Sequence, residues 1–266
     1  LTEKIIEKDA VLIDKNGSPS GEKHFILYNP PLVDAVQGIR RGVVLESQRL
    51  ALKFLKKGVK TIVFCRSRIR TELISSYIKQ RLSNVYNDNS RIRVESYRGG
   101  YLPNERREIE KGLRDGSIQG VVSTNALELG IDIGGLDASI MAGFPGSISS
   151  SWQQAGRAGR SNAASVSVLI ASASPVDQYV IENPEYFFGR NPESAWIDPD
   201  NIYIQLDHLK CAVFELPFEQ GEIFGGRSEE LLNYLEEEGV VRQTGDKFYW
   251  SDRSYPAENV SLRSAT

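Results

Sequence analysis

Thr61-Ile-Val-Phe-Cys65 is a short, wholly apolar run, the pattern of a strand buried on both faces. Ser67 stands just beyond it as an N-cap, and Leu73, Ile74, Tyr77, Ile78 and Leu82 follow at near-helical spacing. Upstream, His24 to Tyr28 has strand character ended by Pro30-Pro31. Val43 to Lys57 reads as a helix carrying Leu45, Leu52 and Leu55, closed by Gly58. Downstream the alternation repeats. Strands are expected at Ile92–Ser96, Gly120–Ser123, Ala138–Ala142 and Val166–Ala171. Helices are expected at Pro103–Asp115, with Ile109 and Leu113 inward, through Leu127, and at Ser150–Ala158. Strand–helix alternation at this spacing predicts an α/β fold: a mostly parallel sheet with helices on both faces, whose ligands sit at the loops after the strands.

The flanks read differently. Leu1 to Gly21 is polar, with a weak strand at Ala10–Ile13 and a turn at Asn16-Gly17. Asn183 to Asp200, rich in Asn, Pro, Asp and aromatics, reads as a linker. Ile202–Glu215 and Ser228–Glu238 read as helices, and Val240-Val241 with Lys247–Trp250 as a hairpin around Thr244-Gly245-Asp246, the outline of a small winged helix. Ser254 to Thr266 shows no closing element and reads as truncated. The division expected is residues 1–182 for the sheet domain and 183–266 for the linker and a partial winged helix.

Composition sets bounds. The 266 residues are 40% hydrophobic and 25% charged, an ordinary globular balance. No apolar run is long enough to span a bilayer and no signal-peptide pattern opens the chain, so no membrane partner is expected. Two cysteines, Cys65 and Cys211, make no disulfide framework, which points to a reducing cytosol. The net charge of −3 argues against a global field for nucleic acid but leaves room for a local basic groove. His24 and His208 lie near no nucleophile pattern and suit structural roles. Trp152 fits a core position or a wedge equally.

The chemistry is concentrated in Ser151-Trp-Gln-Gln-Ala-Gly-Arg-Ala-Gly-Arg160. If that run is helical, Arg157 and Arg160 share one face, and a pair of guanidiniums suits polyphosphate. Two solvated surface arginines are the plain alternative, but interleaved glycines would gain such a helix nothing. Ser123-Thr-Asn-Ala-Leu-Glu-Leu-Gly-Ile-Asp132 lies upstream. Thr124, with Ser123, follows a strand and suits an N-cap, a role compatible with holding a phosphate. Gly130 and Asp132 form a Gly-x-Asp that is a common turn in isolation. Arg98-Gly99-Gly100-Tyr101 after a strand is a tight turn with a surface arginine, or equally a phosphate contact. Arg66 and Ser67, with Arg68 and Lys111, could complete a basic stripe.

The runs 123–132 and 151–160 together resemble motifs V and VI of superfamily 2 helicases. With Tyr97–Tyr101, Leu113–Gly116, Asp177–Tyr179 and Asp207–Cys211, they resemble the MrfA (YprA) family of bacterial DNA-repair helicases, from about Gly21 onward. The resemblance implies a RecA-like sheet and a 3′ to 5′ DNA motor. It implies that Arg157 and Arg160 are arginine fingers on the γ-phosphate of ATP, and that Gln153, Gly130 and Asp132 lie on the nucleotide side. Thr124, Ser123, Arg98, Gly99, Arg66 and Ser67 would hold the backbone of a single-stranded or tailed duplex DNA. The chain has no Gly-x-x-x-x-Gly-Lys-[Ser/Thr] run and no Asp-Glu-x-His box. It therefore reads as a second motor lobe that is inactive alone, with ATP and Mg²⁺ held mainly by a first RecA-like lobe and zinc expected only in a further C-terminal domain. A nuclease is a candidate partner, and the expected location is the cytoplasm, with the nucleoid. The alternatives are a non-catalytic nucleic-acid-binding module or an RNA helicase.

Overall fold

The structure, a computed structural model, describes residues 2–6, 8–13, 17, 21–83, 92–159, 163–194, 197–198 and 201–260. The chain forms two compact units, Lys15–Glu193 and Leu1–Asp14 with Ser194–Thr266. It starts in the smaller unit with one helical turn, α1 (Thr2–Ile6), exposed throughout and unforeseen in the sequence. Ala10–Ile13 is not the strand expected. Val11, Leu12 and Ile13 are more than four-fifths exposed, and among the described residues no strand pairs with them, so β propensity has nothing to pack on. Asn16 of the expected turn lies outside the described residues.

The larger unit runs β1 (Lys23–Tyr28), β2 (Leu32–Asp34), β3 (Ile39–Arg40), α2 (Val43–Lys56), β4 (Thr61–Cys65), α3 (Arg68–Ser83), β5 (Val94–Tyr97), α4 (Pro103–Asp115) and β6 (Gly120–Ser123). A 3₁₀ turn (Asn125–Leu127) follows, then β7 (Ala138–Ala142), α5 (Ile148–Ala155), β8 (Ser165–Ile170), α6 (Pro175–Glu182) and α7 (Pro184–Phe188). Among the described residues six strands form one sheet in the order β1-β8-β7-β4-β6-β5, every neighbouring pair parallel. All their carboxyl ends therefore share one edge. β4 shows why the apolar run is a strand: Val63 and Cys65 pack under α2 and α3, while Ile62 and Phe64 pack under α4 on the other face. Local signals set the helix ends. Gly58, at φ +77°, lets its own N–H and that of Val59 return to Leu55 O and Phe54 O and close α2. Ser67 Oγ accepts the Arg70 N–H at 3.2 Å at the start of α3. Burial keeps the Cys65 thiol protonated, pushed up to about 12, as befits a small core residue.

Two expectations change in this unit. Residues 183–188 are no linker: Pro184 opens α7, and Phe187 is fully buried against Met141, Phe144 and Ile148. Glu193 accepts N–H groups of Ile148 at 2.6 Å and Ser149 at 2.9 Å, so the chain up to Glu193 belongs with the sheet. α6 was hidden too, although Pro175 and Pro184 both stand at first-turn positions. α5 begins two residues earlier than expected, capped by Ser147 Oγ, and stops at Ala155.

The smaller unit continues with α8 (Ile202–Glu215), β9 (Phe218–Glu219), α9 (Ser228–Glu237), β10 (Val241–Thr244) and β11 (Lys247–Trp250). The strands pair antiparallel in the order β10-β11-β9. Gly245, at φ +67°, takes the left-handed position of the two-residue wing turn. Leu209, Val213, Leu231, Leu232, Leu235, Val241 and Phe248 make its core. The chain after Ser254 does close on it: Tyr255 meets the Phe214 ring edge-on at 5.5 Å and Pro256 is buried, starting a 3₁₀ turn to Asn259.

Candidate functional site

The parallel sheet gathers the strand-end residues along one edge. Phe64, Ser123 and Tyr97 are in register on β4, β6 and β5, so Arg66-Ser67, Thr124 and Arg98-Gly99 leave three adjacent strands in a row. At about 4.8 Å per strand that row is about 10 Å across. Arg66 and Ser67 are exposed and Thr124 half-buried. Thr124 Oγ1 accepts the Ala126 N–H at 3.4 Å, as an N-cap does. Ser123 Oγ is fully buried without a hydrogen-bond partner, which places it under the edge rather than on it. Lys111 does not join the row. It lies eight residues into α4, about 12 Å along the axis from the helix start.

Arg98 is held in a small polar cluster. Its Nε donates to Glu72 Oε1 at 2.9 Å, and its guanidinium lies 4.8 Å from the centre of the Tyr101 ring. Glu72 also accepts from Tyr101 Oη at 2.7 Å and Ser96 Oγ at 2.9 Å. Burial raises the Glu72 pKa, but the hydrogen bonds from Tyr101, Arg98 and Ser96 outweigh it and hold the carboxyl below its usual range. A Cβ on Gly100 would come within 2.9 Å of Arg98 Nη1, whereas one on Gly99 would meet nothing. Gly100 thus makes room for the guanidinium, and only Gly99 offers open backbone.

From Thr124 the chain runs through Glu128, Gly130 and Asp132 to Leu136, which pairs with Ala158 just ahead of β7. This connection carries the chain from the carboxyl edge to the amino edge along the α4–α5 face. Arg157 clamps it. Its Nε and Nη2 donate to Glu128 O at 2.9 and 2.6 Å, its Nη1 donates to Ile131 O at 2.6 Å, and the residue is only 6% exposed. The sequence put Arg157 on a helix face shared with Arg160. Instead α5 ends at Ala155, the chain turns through Gly156, and Gly159 takes φ +87° where a Cβ would meet Ser165 Oγ at 2.3 Å. The glycines break the helix and let the chain pass close to β8. Arg160 itself lies outside the described residues. Gly130, at φ +76°, is exposed, and Asp132, also exposed, accepts the Gly134 N–H at 3.2 Å.

Gln153 is half-buried on the last turn of α5, while its neighbour Gln154 is buried and donates to Glu128 Oε2 at 2.9 Å. Glu128 thus ties to both Gln154 and Arg157, a junction no local pattern announces. Between the ends of β4 and β7 lies a cleft of about 190 Å³ lined by Arg66, Asn125, Glu128, Ser150 and Gln154 among others. β4 leads to α3 on one face and β7 to α5 on the other, so the cleft sits where the connections diverge. Trp152 is 38% exposed and packs at 5.2 Å from Phe25 and 5.7 Å from Phe187, an aromatic patch at the edge of the core.

Comparison with known proteins gives this geometry a family context. The model for the helicase conserved C-terminal domain matches residues 46–162, and that for the winged helix domain of the ATP-dependent helicase HRQ1 matches residues 197–265. The chain is 52% identical to the uncharacterized ATP-dependent helicase YprA of Bacillus subtilis, across 100% of this chain and 35% of that protein. It is 37% identical to the ATP-dependent helicase HRQ1 of Saccharomyces cerevisiae, across 96% of this chain and 24% of that protein. The crystal structure of the DUF1998 helicase MrfA bound to DNA and AMPPNP superposes with a TM-score of 0.89 at 52% identity, covering 100% of this chain and 37% of that one. The chain spans about a third or less of the length of these relatives.

Proposed function

From its membership of the YprA/MrfA family of superfamily 2 helicases, to which the chain belongs, we propose that it is the second RecA-like lobe of an ATP-driven DNA motor. It works with a first lobe that holds ATP and Mg²⁺. The observation that carries this reading is the Arg157 clamp. One loop starts at Thr124 on the carboxyl edge and reaches Asp132 eight residues later, and the fork of Arg157 fastens it between them. A change at the nucleotide side would be passed to the strand-binding edge through a single fastened segment.

The roles divide along that loop. Thr124, Arg98, Gly99, Arg66 and Ser67 grip the phosphate backbone of one DNA strand, with Ser123 supporting Thr124 from beneath. Such contacts tolerate any sequence and weaken with salt. Gly130, Asp132 and Gln153 face the nucleotide. Of the two arginines read as fingers, Arg160 is the cation proposed to answer charge spreading over the γ-phosphoryl oxygens, while Arg157, buried with its fork on the Glu128 and Ile131 carbonyls, acts through the loop it fastens. Closure of two lobes on ATP and their release on hydrolysis, with alternate grips on the backbone, moves the strand. The direction proposed is 3′ to 5′, the setting DNA repair in the cytoplasm, with the nucleoid. A nuclease partner and a zinc-bearing further domain complete the proposal, and both rest on family resemblance alone. DNA is preferred to RNA because the relative MrfA was crystallised with DNA.

Two assays test this. The 266-residue chain should show no strand-stimulated ATP turnover. Joined to a phosphate-cradle lobe it should hydrolyse ATP, and a tailed DNA duplex should stimulate it more than the matching RNA. Turnover by the chain alone, or no DNA stimulation of the joined protein, would refute the reading.

A further inference from the structure

α2 and α3 lie side by side on the sheet face opposite the Arg157 loop. Both run antiparallel to the strands, so both start at the carboxyl edge and end at the amino edge. Between them on the outside runs an open groove lined by Arg41, Gln48, Arg49, Lys53, Lys56 and Arg81, with Leu45 and Leu52 between. Among the described residues, five cations and no acid line it. Arg49, Lys53 and Lys56 stand at i, i+4 and i+7 on one stripe of α2, which spans about 10 Å of helix. Arg81 faces them from the last turn of α3.

Two of these cations are paired within the fold and three are not, among the described residues. Arg41 and Arg49 share the buried Glu46, which takes Arg41 Nη1 at 3.1 Å and Arg49 Nε at 2.9 Å. Among the described residues, Lys53, Lys56 and Arg81 have no acidic partner. Leaving three unneutralised cations in one groove costs mutual repulsion, on a chain whose net charge is −3. The occupant that relieves it is a polyanion. The cations are strung along a straight track rather than ringed around one pocket. That linear spacing suits a sugar–phosphate backbone better than the anchor side chain of an acidic peptide. The track opens at Arg41 near the carboxyl edge, where the proposed single-strand grip sits, and leads away from it.

We propose that the α2–α3 groove is a second DNA site, one that holds the backbone of the duplex arm while the carboxyl edge holds the single strand. It extends the motor reading, but its test stands apart. Three cations released from phosphate contact correspond to a log–log salt slope of about −2.7 on B-form DNA.

The test is anisotropy of the 266-residue chain with a blunt 30-base-pair duplex and with a 30-nucleotide single strand, from 50 to 200 mM salt. The triple variant Lys53→Ala/Lys56→Ala/Arg81→Ala should flatten the duplex slope by about 3. Over that fourfold salt range, wild type should lose about fortyfold more duplex affinity than the variant. The single-strand affinity should change little, and Lys53→Arg/Lys56→Arg should bind as wild type, because only charge is required. The pair Arg66→Ala/Arg98→Ala should do the reverse, weakening the single strand and sparing the duplex. If that pair leaves the single strand untouched, the motor-edge reading fails while the groove still stands. The groove proposal is overturned if the chain binds no duplex at 50 mM salt, or if the triple variant keeps the wild-type slope. Displacement of duplex by polyglutamate of equal charge would also overturn it, naming an acidic peptide as the occupant.

Discussion

The two units of this chain carry opposite charge. Residues 15–193 hold 24 lysines and arginines against 17 aspartates and glutamates, a formal +7. Residues 1–14 and 194–266 hold 8 against 18, a formal −10. The overall −3 is the near-cancellation of a basic sheet lobe and an acidic winged helix. In DNA-binding helix-turn-helix folds the second helix enters the major groove. Here that helix is α9, with Glu229, Glu230, Glu236 and Glu237 along it and Glu238 at its cap. It would set carboxylates against phosphates. A winged-helix outline therefore does not by itself make this unit a groove reader, and the nucleic-acid contacts proposed above all lie on the lobe.

The sharpest way to break this division is through the arginines. In the protein joined to a phosphate-cradle lobe, Arg160→Ala should cut kcat for ATP by about a thousandfold, the low end for arginine fingers, with Kd for DNA changed by less than about threefold. Arg157→Ala should cut turnover less deeply, because its buried guanidinium holds the Glu128 and Ile131 carbonyls rather than phosphate. Because it also unfastens the loop that starts at Thr124, it should loosen the coupling of turnover to DNA as well. Steady-state turnover with and without a tailed duplex separates the two effects, and intact turnover in Arg160→Ala would remove that arginine from the fuel site.

Effects on the folding of the lobe come next. Gly159→Ala forces a Cβ into Ser165 at a left-handed position and should cost about 2 kcal/mol by chemical denaturation, while Gly99→Ala should cost almost nothing. If Gly99→Ala also left DNA affinity untouched, open backbone at that turn would not be a phosphate contact. A comparable effect is written in pH. Burial raises the Glu46 pKa, but hydrogen bonds from Arg49, Tyr28 and Arg41 outweigh it and bring it down to about 2 from 4.5. A depressed carboxyl stabilises the fold above its unfolded pKa and loses that contribution as pH falls through the folded value. The lobe should therefore lose about 2 kcal/mol between pH 4.5 and 2, allowing for solvent around the half-exposed arginines. Glu46→Gln should flatten that part of the stability–pH curve. The smallest effect belongs to the winged helix: Glu230→Lys with Glu237→Lys should change DNA affinity by less than about threefold. A large gain would mean that α9 lies against DNA after all.

Much of the fold of both units was legible in the sequence because its signals are local. β4, β6, β7, α4 and α8 fall on the expected residues, where apolar runs or i, i+4 spacing meet a clear cap. α6 and α7 were hidden because each is short and its burial depends on distant partners, as Phe187 against Met141 shows. β9 is two residues long and exists only through pairing with β11. The motif residues were visible as a set, but not their partners. Glu72 holds Arg98 across 26 positions, and Glu128 holds Arg157 across 29. No periodicity reaches that far. The sequence also put Arg157 on a helix, where Gly156 and Gly159 instead release it to turn inward.

The central claim is that nucleotide and DNA act on one fastened loop of the basic lobe and not on the acidic unit. Hydrogen–deuterium exchange on the protein joined to a phosphate-cradle lobe, with and without a nucleotide analogue and a tailed duplex, tests it directly. The account predicts new protection at residues 96–101, 123–132 and 153–160 and none at 228–239. Protection confined to 228–239, with the loop unchanged, would contradict it.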